Sequence, residues 1–191
     1  MVFRRKLYAK MLDWKQHWGG QYALLIKGAR RVGKSTLVEQ FAKTEYKSHI
    51  LIDFSNARKE LISLFDDISD LDFFFMRLQQ QTGVKLHERQ SAIVFDEVQE
   101  CPRARQAIKH LVKDGRYDYI ETGSLISIRK NVQGIVIPSE EMQLTLQPLD
   151  FEEFLWAIGN EVGLDILRTF YEKHIPLGES HRSTMRDLRL Y

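Results

Sequence analysis

Cysteine is almost missing from this chain: Cys101 is the single example in 191 residues. One thiol excludes an intrachain disulfide and fits a reducing compartment. An excess of charge of one sign is missing as well. The 28 basic residues face 26 acidic ones, for a formal net charge of +2. That balance gives no support for a nucleic-acid partner or an acidic membrane surface. The apolar runs are far too short to span a bilayer, so no membrane partner is expected. Nothing at the N-terminus reads as a secretion signal: Arg4, Arg5 and Lys6 are followed by a segment interrupted by polar residues. The location expected by default is cytoplasmic. Metal-ligand patterns are absent too: His17, His49, His87, His110, His174 and His181 are scattered, no two share a helical face, and Cys101 adds nothing to them. The chain shows no internal repeat and no low-complexity segment.

What is there is an ordinary globular composition, 43% hydrophobic and 28% charged, in a length that suits one full domain with a small appendage. The most informative stretch is Gly28-Ala29-Arg30-Arg31-Val32-Gly33-Lys34-Ser35-Thr36. It has the form G-x-x-x-x-G-K-S of a phosphate-binding loop. Gly28 and Gly33 permit backbone angles and a closeness of approach that a side chain forbids. Successive N–H groups turn inward to form an anion site, and the helix starting at Lys34 adds its positive end. Lys34 is placed to reach the β- and γ-phosphates of a nucleoside triphosphate, and the Ser35 hydroxyl to hold Mg²⁺. Lys34 is expected to face solvent, so that the fold does not depend on it. The flanks support the reading. Ala23-Leu24-Leu25-Ile26 reads as a buried parallel strand, and Leu37, Val38, Phe41 and Ala42 follow at helical spacing. Arg30 and Arg31 suit phosphate anchoring, contact with a neighbour, or plain solvation, and the sequence does not separate these.

Around this motif the pattern alternates. Residues 4–18 read as an amphipathic helix closed by Gly19-Gly20, and His49 to Phe54 as a second strand. Residues 57–65 read as a short helix. Asp70 is placed to cap a helix containing Phe73, Phe74, Phe75, Met76 and Leu78, closed by Gly83. Packing is the commoner explanation for that cluster, a partner surface the rarer one. Ser91 to Phe95 reads as a third strand, and Pro102 opens a helix that ends before Gly115. Tyr117 to Glu121 reads as a fourth strand, and Met142, Leu144 and Leu146 alternate like a half-covered fifth. Strands alternating with helices predict βαβ units and a parallel sheet.

The third strand ends in Asp96-Glu97, and ligands sit beyond the carboxyl ends of parallel strands. Asp96 suits the Mg²⁺ role beside Ser35, and Glu97 that of a base for the attacking water. A hydroxyl at Thr122 or Ser124, after the fourth strand, would face the same cleft. The sequence does not choose between them. Asp150 followed by Glu153 is a capping-box arrangement rather than a catalytic acid pair. Arg129-Lys130, and Arg182 with Arg186 and Arg189, suit solvated faces as well as DNA phosphates.

At this point Ile26 to Ser35, Phe95-Asp96-Glu97-Val98-Gln99, Glu121-Thr122-Gly123-Ser124 and Pro148-Leu149-Asp150-Phe151-Glu152-Glu153-Phe154 together resemble a prokaryotic group of AAA-like ATPases. Members commonly carry a C-terminal domain resembling PD-(D/E)XK nucleases. The resemblance covers nearly the whole chain. It implies ATP as the nucleotide, an additional-strand P-loop core, and a polar sensor at Thr122 or Ser124. It also implies the same roles for Lys34, Ser35, Asp96 and Glu97. Many members have a Gly-Arg pair before the Pro148 segment, where this chain reads Val136 to Glu141, so no arginine finger is carried over from that place. The chain stops at Tyr191, where longer relatives would continue.

The expectation is a three-layer α/β P-loop domain over residues 1–147, with a central, mostly parallel five-stranded sheet. A helical extension over 148–191, itself incomplete, would follow. Its function would be Mg²⁺-dependent ATP binding and hydrolysis, as a switch for a partner protein or further domain. Turnover would be slow in isolation, a neighbouring copy or partner supplying an arginine; Arg103, Arg105 and Arg129 lie near strand ends but rank low. A small-molecule kinase on the same fold and a nucleotide-gated binding module with little turnover are the alternatives.

Overall fold

The computed structural model describes residues 3–124, 139–176, 178 and 180–191. They fall into two units, Leu7–Leu146 and a second made of the residues up to Lys6 with Gln147–Tyr191. The first unit begins with helix α1 (Leu7–Trp18), then strand β1 (Ala23–Gly28), α2 (Lys34–Glu45) and β2 (Ser48–Asp53). A short α3 (Lys59–Ile62) runs into a 3₁₀ turn (Ser63–Asp66), followed by α4 (Leu71–Thr82), β3 (Ser91–Asp96) and a second 3₁₀ turn (Val98–Glu100). Helix α5 (Pro102–Asp114), β4 (Asp118–Ser124) and β5 (Glu141–Leu146) complete the described part.

The five strands form one sheet in the order β2-β3-β4-β1-β5, and every pairing is parallel. The mostly parallel sheet expected from the alternation is therefore wholly parallel among the described residues. Strand β4 is inserted between β1, which leads into the Gly28 loop, and β3, which ends in Asp96. The pleat sends successive side chains to opposite faces. Leu24, Ile26, Val94 and Ile120 pack with α1 and α2 through Met11, Trp14, Leu37, Val38 and Phe41. Leu25, Ile93, Phe95 and Tyr119 pack on the other face with α4 and α5 through Phe74, Leu78, Ala104, Ile108 and Leu111. The result is a three-layer α/β fold. Phe54, Phe65, Phe74 and Phe95 join in edge-on and tilted ring contacts on the α4 face.

The sequence boundaries shift at several places. Helix α1 starts at Leu7 rather than residue 4, and the expected helix at 57–65 divides into a helix and a 3₁₀ turn. In the α4 cluster Phe74, Phe75 and Leu78 are core, but Phe73 and Met76 are 53% and 54% exposed. Strand β4 runs on to Ser124 because its pairing with β1 continues to Gly28↔Ser124. Thr122, Gly123 and Ser124 thus belong to the strand instead of following it.

The second unit is helical: α6 (Phe151–Ala157), α7 (Glu161–Lys173) and α8 (Ser180–Leu190). Asp150 accepts from Glu153 N at 2.8 Å and Glu153 returns the bond at 3.3 Å, which is a complete capping box. Phe151 and Phe154 gather with Tyr191. The basic pair Arg129-Lys130 lies outside the described residues.

One buried cluster in the first unit was invisible in the sequence. Arg105 of α5 pairs with Glu141 of β5 at 3.2 Å, both side chains buried. Glu121 of β4 lies fully buried near them, its two carboxyl oxygens without a hydrogen-bond partner among the described residues. Burial pushes the Glu121 carboxyl well above the usual carboxylate range; the Glu141 charge adds to this and Arg105 opposes it. The folded state therefore keeps a proton that the unfolded chain releases near the ordinary value of 4.5. Stability from this group is full below that value and is lost as pH rises toward the raised folded value, with a slope of up to about 1.4 kcal/mol per pH unit. Glu121→Gln should consequently gain thermal stability over the parent as the buffer moves from pH 5 to pH 8. A melting-temperature difference that stays constant across that range would contradict a neutral Glu121.

Candidate functional site

The carboxyl ends of β1, β3 and β4 converge on one edge of the sheet, and the residues there come from three separate stretches of sequence. β1 ends at Gly28, where the chain passes close to β5. A Cβ on Gly28 would lie 2.4 Å from the Leu146 carbonyl oxygen, so only glycine fits. The chain then turns over residues 29–33 and enters α2. Arg31 (φ 63°) and Gly33 (φ 90°) both take left-handed backbone angles, a conformation glycine adopts freely and arginine rarely. The first turn of α2 contains no acidic residue and Gly33 supplies no side-chain cap. The positive end of this 12-residue helix therefore receives no acidic side chain from the helix's own first turn.

Lys34 does not face solvent as expected. It is only 4% exposed, and its ammonium donates to Ala29 O at 2.9 Å and Gly28 O at 3.4 Å. The carbonyls of the loop take its protons, which holds the loop closed on its own lysine. Ser35 is half-buried, while Ala29, Arg30, Arg31, Gly33 and Thr36 are exposed and Val32 is half-buried beneath them.

A hydrogen-bonded chain joins this loop to the acidic end of β3. Ser35 Oγ donates to Asp96 Oδ1 at 2.9 Å. Thr122 Oγ1 donates to the same carboxylate oxygen and accepts from the backbone N–H of Glu97 at 3.1 Å. The register explains the pairing. Phe95 lies opposite Glu121 in the β3–β4 ladder, so the next residues along, Asp96 and Thr122, are neighbours. Ser124 is buried at the far end of β4, opposite Gly28. The two hydroxyls that the sequence left equivalent are thus in different places: Thr122 on the Asp96-Glu97 pair, Ser124 beside the start of the loop.

Glu97 follows the strand with φ 51° and ψ 49°, a left-handed conformation that is uncommon for a non-glycine residue. Its carboxylate accepts from the side-chain amide of Gln99. Gln99 is a contact that reading the sequence for charged and hydroxyl groups passed over, although it stands two residues on, in the turn that Glu97 begins. Among the described residues, no group of three or more His, Cys, Asp or Glu is arranged to hold a metal. Mg²⁺ commonly takes one or two carboxylates with phosphate oxygens and waters; the buried Asp96 with the Ser35 hydroxyl against it fits that pattern. Of the arginines near the strand ends, Arg103 pairs with Asp66, and Arg105 is locked into its buried pair with Glu141. Arg105 is therefore not available to reach across an interface. Arg129 lies outside the described residues.

Residues 20–155 match the sequence profile of a family described as an AAA domain. The chain belongs to that family. No curated protein matches it significantly. Among solved structures, it is similar to the Pif1 helicase from Candida albicans at 12% identity, over 89% of this chain and 44% of that one, with a TM-score of 0.46. It is similar to the DnaC helicase loader at 13% identity, over 76% of this chain and 93% of that one, with a TM-score of 0.47. The third is PCH-2 of C. elegans, at 13% identity over 94% of this chain and 51% of that one, with a TM-score of 0.43. The chain thus spans less than half the length of the Pif1 chain and about half that of PCH-2. An AAA-family domain of this kind is a nucleotide-binding, hydrolase-type fold. No helix among the described residues is long and apolar enough to cross a membrane.

The approach of β1 to β5 yields a direct test of the loop's foundation. Gly28→Ala should lower stability by about 1–3 kcal/mol, the usual cost of forcing a methyl into occupied space. Thermal denaturation reads this, and an unchanged melting temperature would show that the close passage to Leu146 is not a constraint.

Proposed function

We propose that this chain binds ATP with Mg²⁺ in the Gly28–Thr36 loop and hydrolyses it, acting as a switch for a partner protein or a further domain. The observation that carries the proposal is the continuous hydrogen-bonded chain Ser35–Asp96–Thr122–Glu97. It ties the first turn of α2, which carries no acidic residue of its own, to the carboxylate pair at the end of β3. The N–H groups of Ala29 to Ser35 surround the phosphates, as the loop form requires. The Lys34 ammonium exchanges its Gly28 and Ala29 carbonyls for the β- and γ-phosphate oxygens. Ser35 and Asp96 hold the cation, which when bound neutralises phosphate charge. Glu97 orients a water and takes its proton as the water oxygen bonds to the γ-phosphorus. The bond to the bridging oxygen then breaks, leaving ADP and phosphate. Ser124, beside Gly28, is the better placed hydroxyl for contact with the γ-phosphate; Thr122 holds the acidic pair.

Arg30 and Arg31 are exposed on the loop and make no ion pair among the described residues. Neither sits where its own chain's γ-phosphate contact is required by the loop form, so a finger from a second copy or a partner remains the expected source of speed.

Two substitutions separate binding from chemistry. Lys34→Ala should weaken ATP binding by roughly tenfold or more, since a hydrogen bond to a charged group is worth about 1.5–3 kcal/mol. Because Lys34 is buried, its melting temperature should also change. Glu97→Gln should retain ATP affinity and lose single-turnover hydrolysis. Calorimetric titration and a quenched single-turnover assay measure these. Parental affinity in Lys34→Ala would overturn the loop assignment, and parental turnover in Glu97→Gln would overturn the base.

A further inference from the structure

Glu97 is held at three points, and the last of them belongs to a residue with no role so far. Its backbone N–H donates to Thr122 Oγ1 at 3.1 Å, which fixes where the main chain leaves β3. Its carbonyl accepts from Glu100 N at 3.0 Å, which closes the turn. The backbone is left-handed at φ 51°, an unfavourable conformation for glutamate that persists only where the surroundings impose it. These contacts settle the main chain but leave the side-chain torsions free. The carboxylate is restrained by the Gln99 amide, which donates to Glu97 Oε2. Gln99 is itself only 5% exposed, next to the fully buried Val98. A buried amide on a closed 3₁₀ turn is a rigid donor, and a rigid donor selects one direction for the carboxylate it holds.

We propose that Gln99 is the positioning residue for Glu97, orienting its carboxylate toward the attacking water. This rests on the reading of Glu97 as the base. Gln99 touches neither nucleotide nor cation in this account. It acts only through Glu97, by keeping the carboxylate oxygen that it does not hold directed at one place. A base held within hydrogen-bond reach of its water is more effective than one that samples several rotamers.

The test is a double-mutant cycle in the full chain. Gln99→Met keeps length and bulk but removes the donor; Gln99→Glu removes the donor while keeping the shape, and serves if the methionine variant does not fold. Each is made in the parent and in Glu97→Gln, with circular dichroism to verify folding, calorimetry for ATP affinity and single-turnover kinetics for the chemical step. In the parent background the turnover rate should fall about tenfold, the lower part of the range for mispositioned acid–base groups, while ATP affinity stays within about twofold. In the Glu97→Gln background the same substitution should cause no further fall. An equal proportional fall in both backgrounds, a loss of ATP affinity matching the loss of rate, or an unchanged or increased rate in the parent background would each overturn the proposal. Failure of the underlying reading is separately visible, because Glu97→Gln alone would then turn over like the parent.

Discussion

The Asp96 carboxylate, buried at the end of β3, accepts from Ser35 on α2 and from Thr122 on β4. Those two bonds bring a helix and two strands to one point. Burying a carboxylate is costly unless donors meet it, so the two hydroxyls are needed for the fold as well as for any chemistry. They fix the depth at which α2 begins relative to the sheet, and so the position of the phosphate-type loop that precedes it. The inserted β4 is what makes this geometry available. If β1 and β3 were adjacent, no strand would carry a hydroxyl between the loop and the acidic pair.

The opposite face of β4 carries the complementary difficulty. Thr122 points to the α2 face with Asp96, while its predecessor Glu121 points to the α5 face, beside the Arg105–Glu141 pair and without hydrogen-bond partners among the described residues. One strand thus presents a satisfied polar group on one side and an unsatisfied one on the other. A neutral Glu121 reconciles this with the low polarity of its surroundings. Because the two residues are consecutive in one strand, the environment of Glu121 bears on how firmly Thr122 is placed.

Much of the fold was legible from local pattern. The strand–loop–helix at Ala23 to Ala42 and the alternation of strands with helices follow from short-range periodicity, and the structure has that α/β parallel architecture. The helix N-cap at Asp70, the capping box at Asp150, the helix start at Pro102 and the helix stop at Gly83 were legible because they depend on residues within a few positions of each other. The candidate residues at Gly28 to Thr36, Asp96, Glu97 and Thr122 lie at one end of the sheet, but their mutual contacts depend on strand order and register, which composition does not encode. That is why Thr122 and Ser124 were indistinguishable, and why Arg105 read as a free arginine near a strand end instead of a buried partner of Glu141. The burial of Lys34 is hidden from the sequence for a related reason: it is set by the Gly28 and Ala29 carbonyls, which are backbone groups that residue types do not reveal. Packing is the commoner explanation for the whole Phe73–Leu78 cluster at the level of sequence, but only Phe74, Phe75 and Leu78 enter the core.

If Ser35 and Asp96 form a cation-assisted phosphate site, ligand binding must stabilise the folded chain in a metal-dependent way. The direct measurement is thermal denaturation with ATP, in Mg²⁺ and again with EDTA. A ligand at a hundred times its dissociation constant adds about 2.7 kcal/mol to the folded state, which is a shift of several degrees for a domain of this size. The account predicts that ATP with Mg²⁺ raises the melting temperature by that order and that EDTA removes most of the gain. An equal rise with and without the cation, or no rise at all, would contradict it.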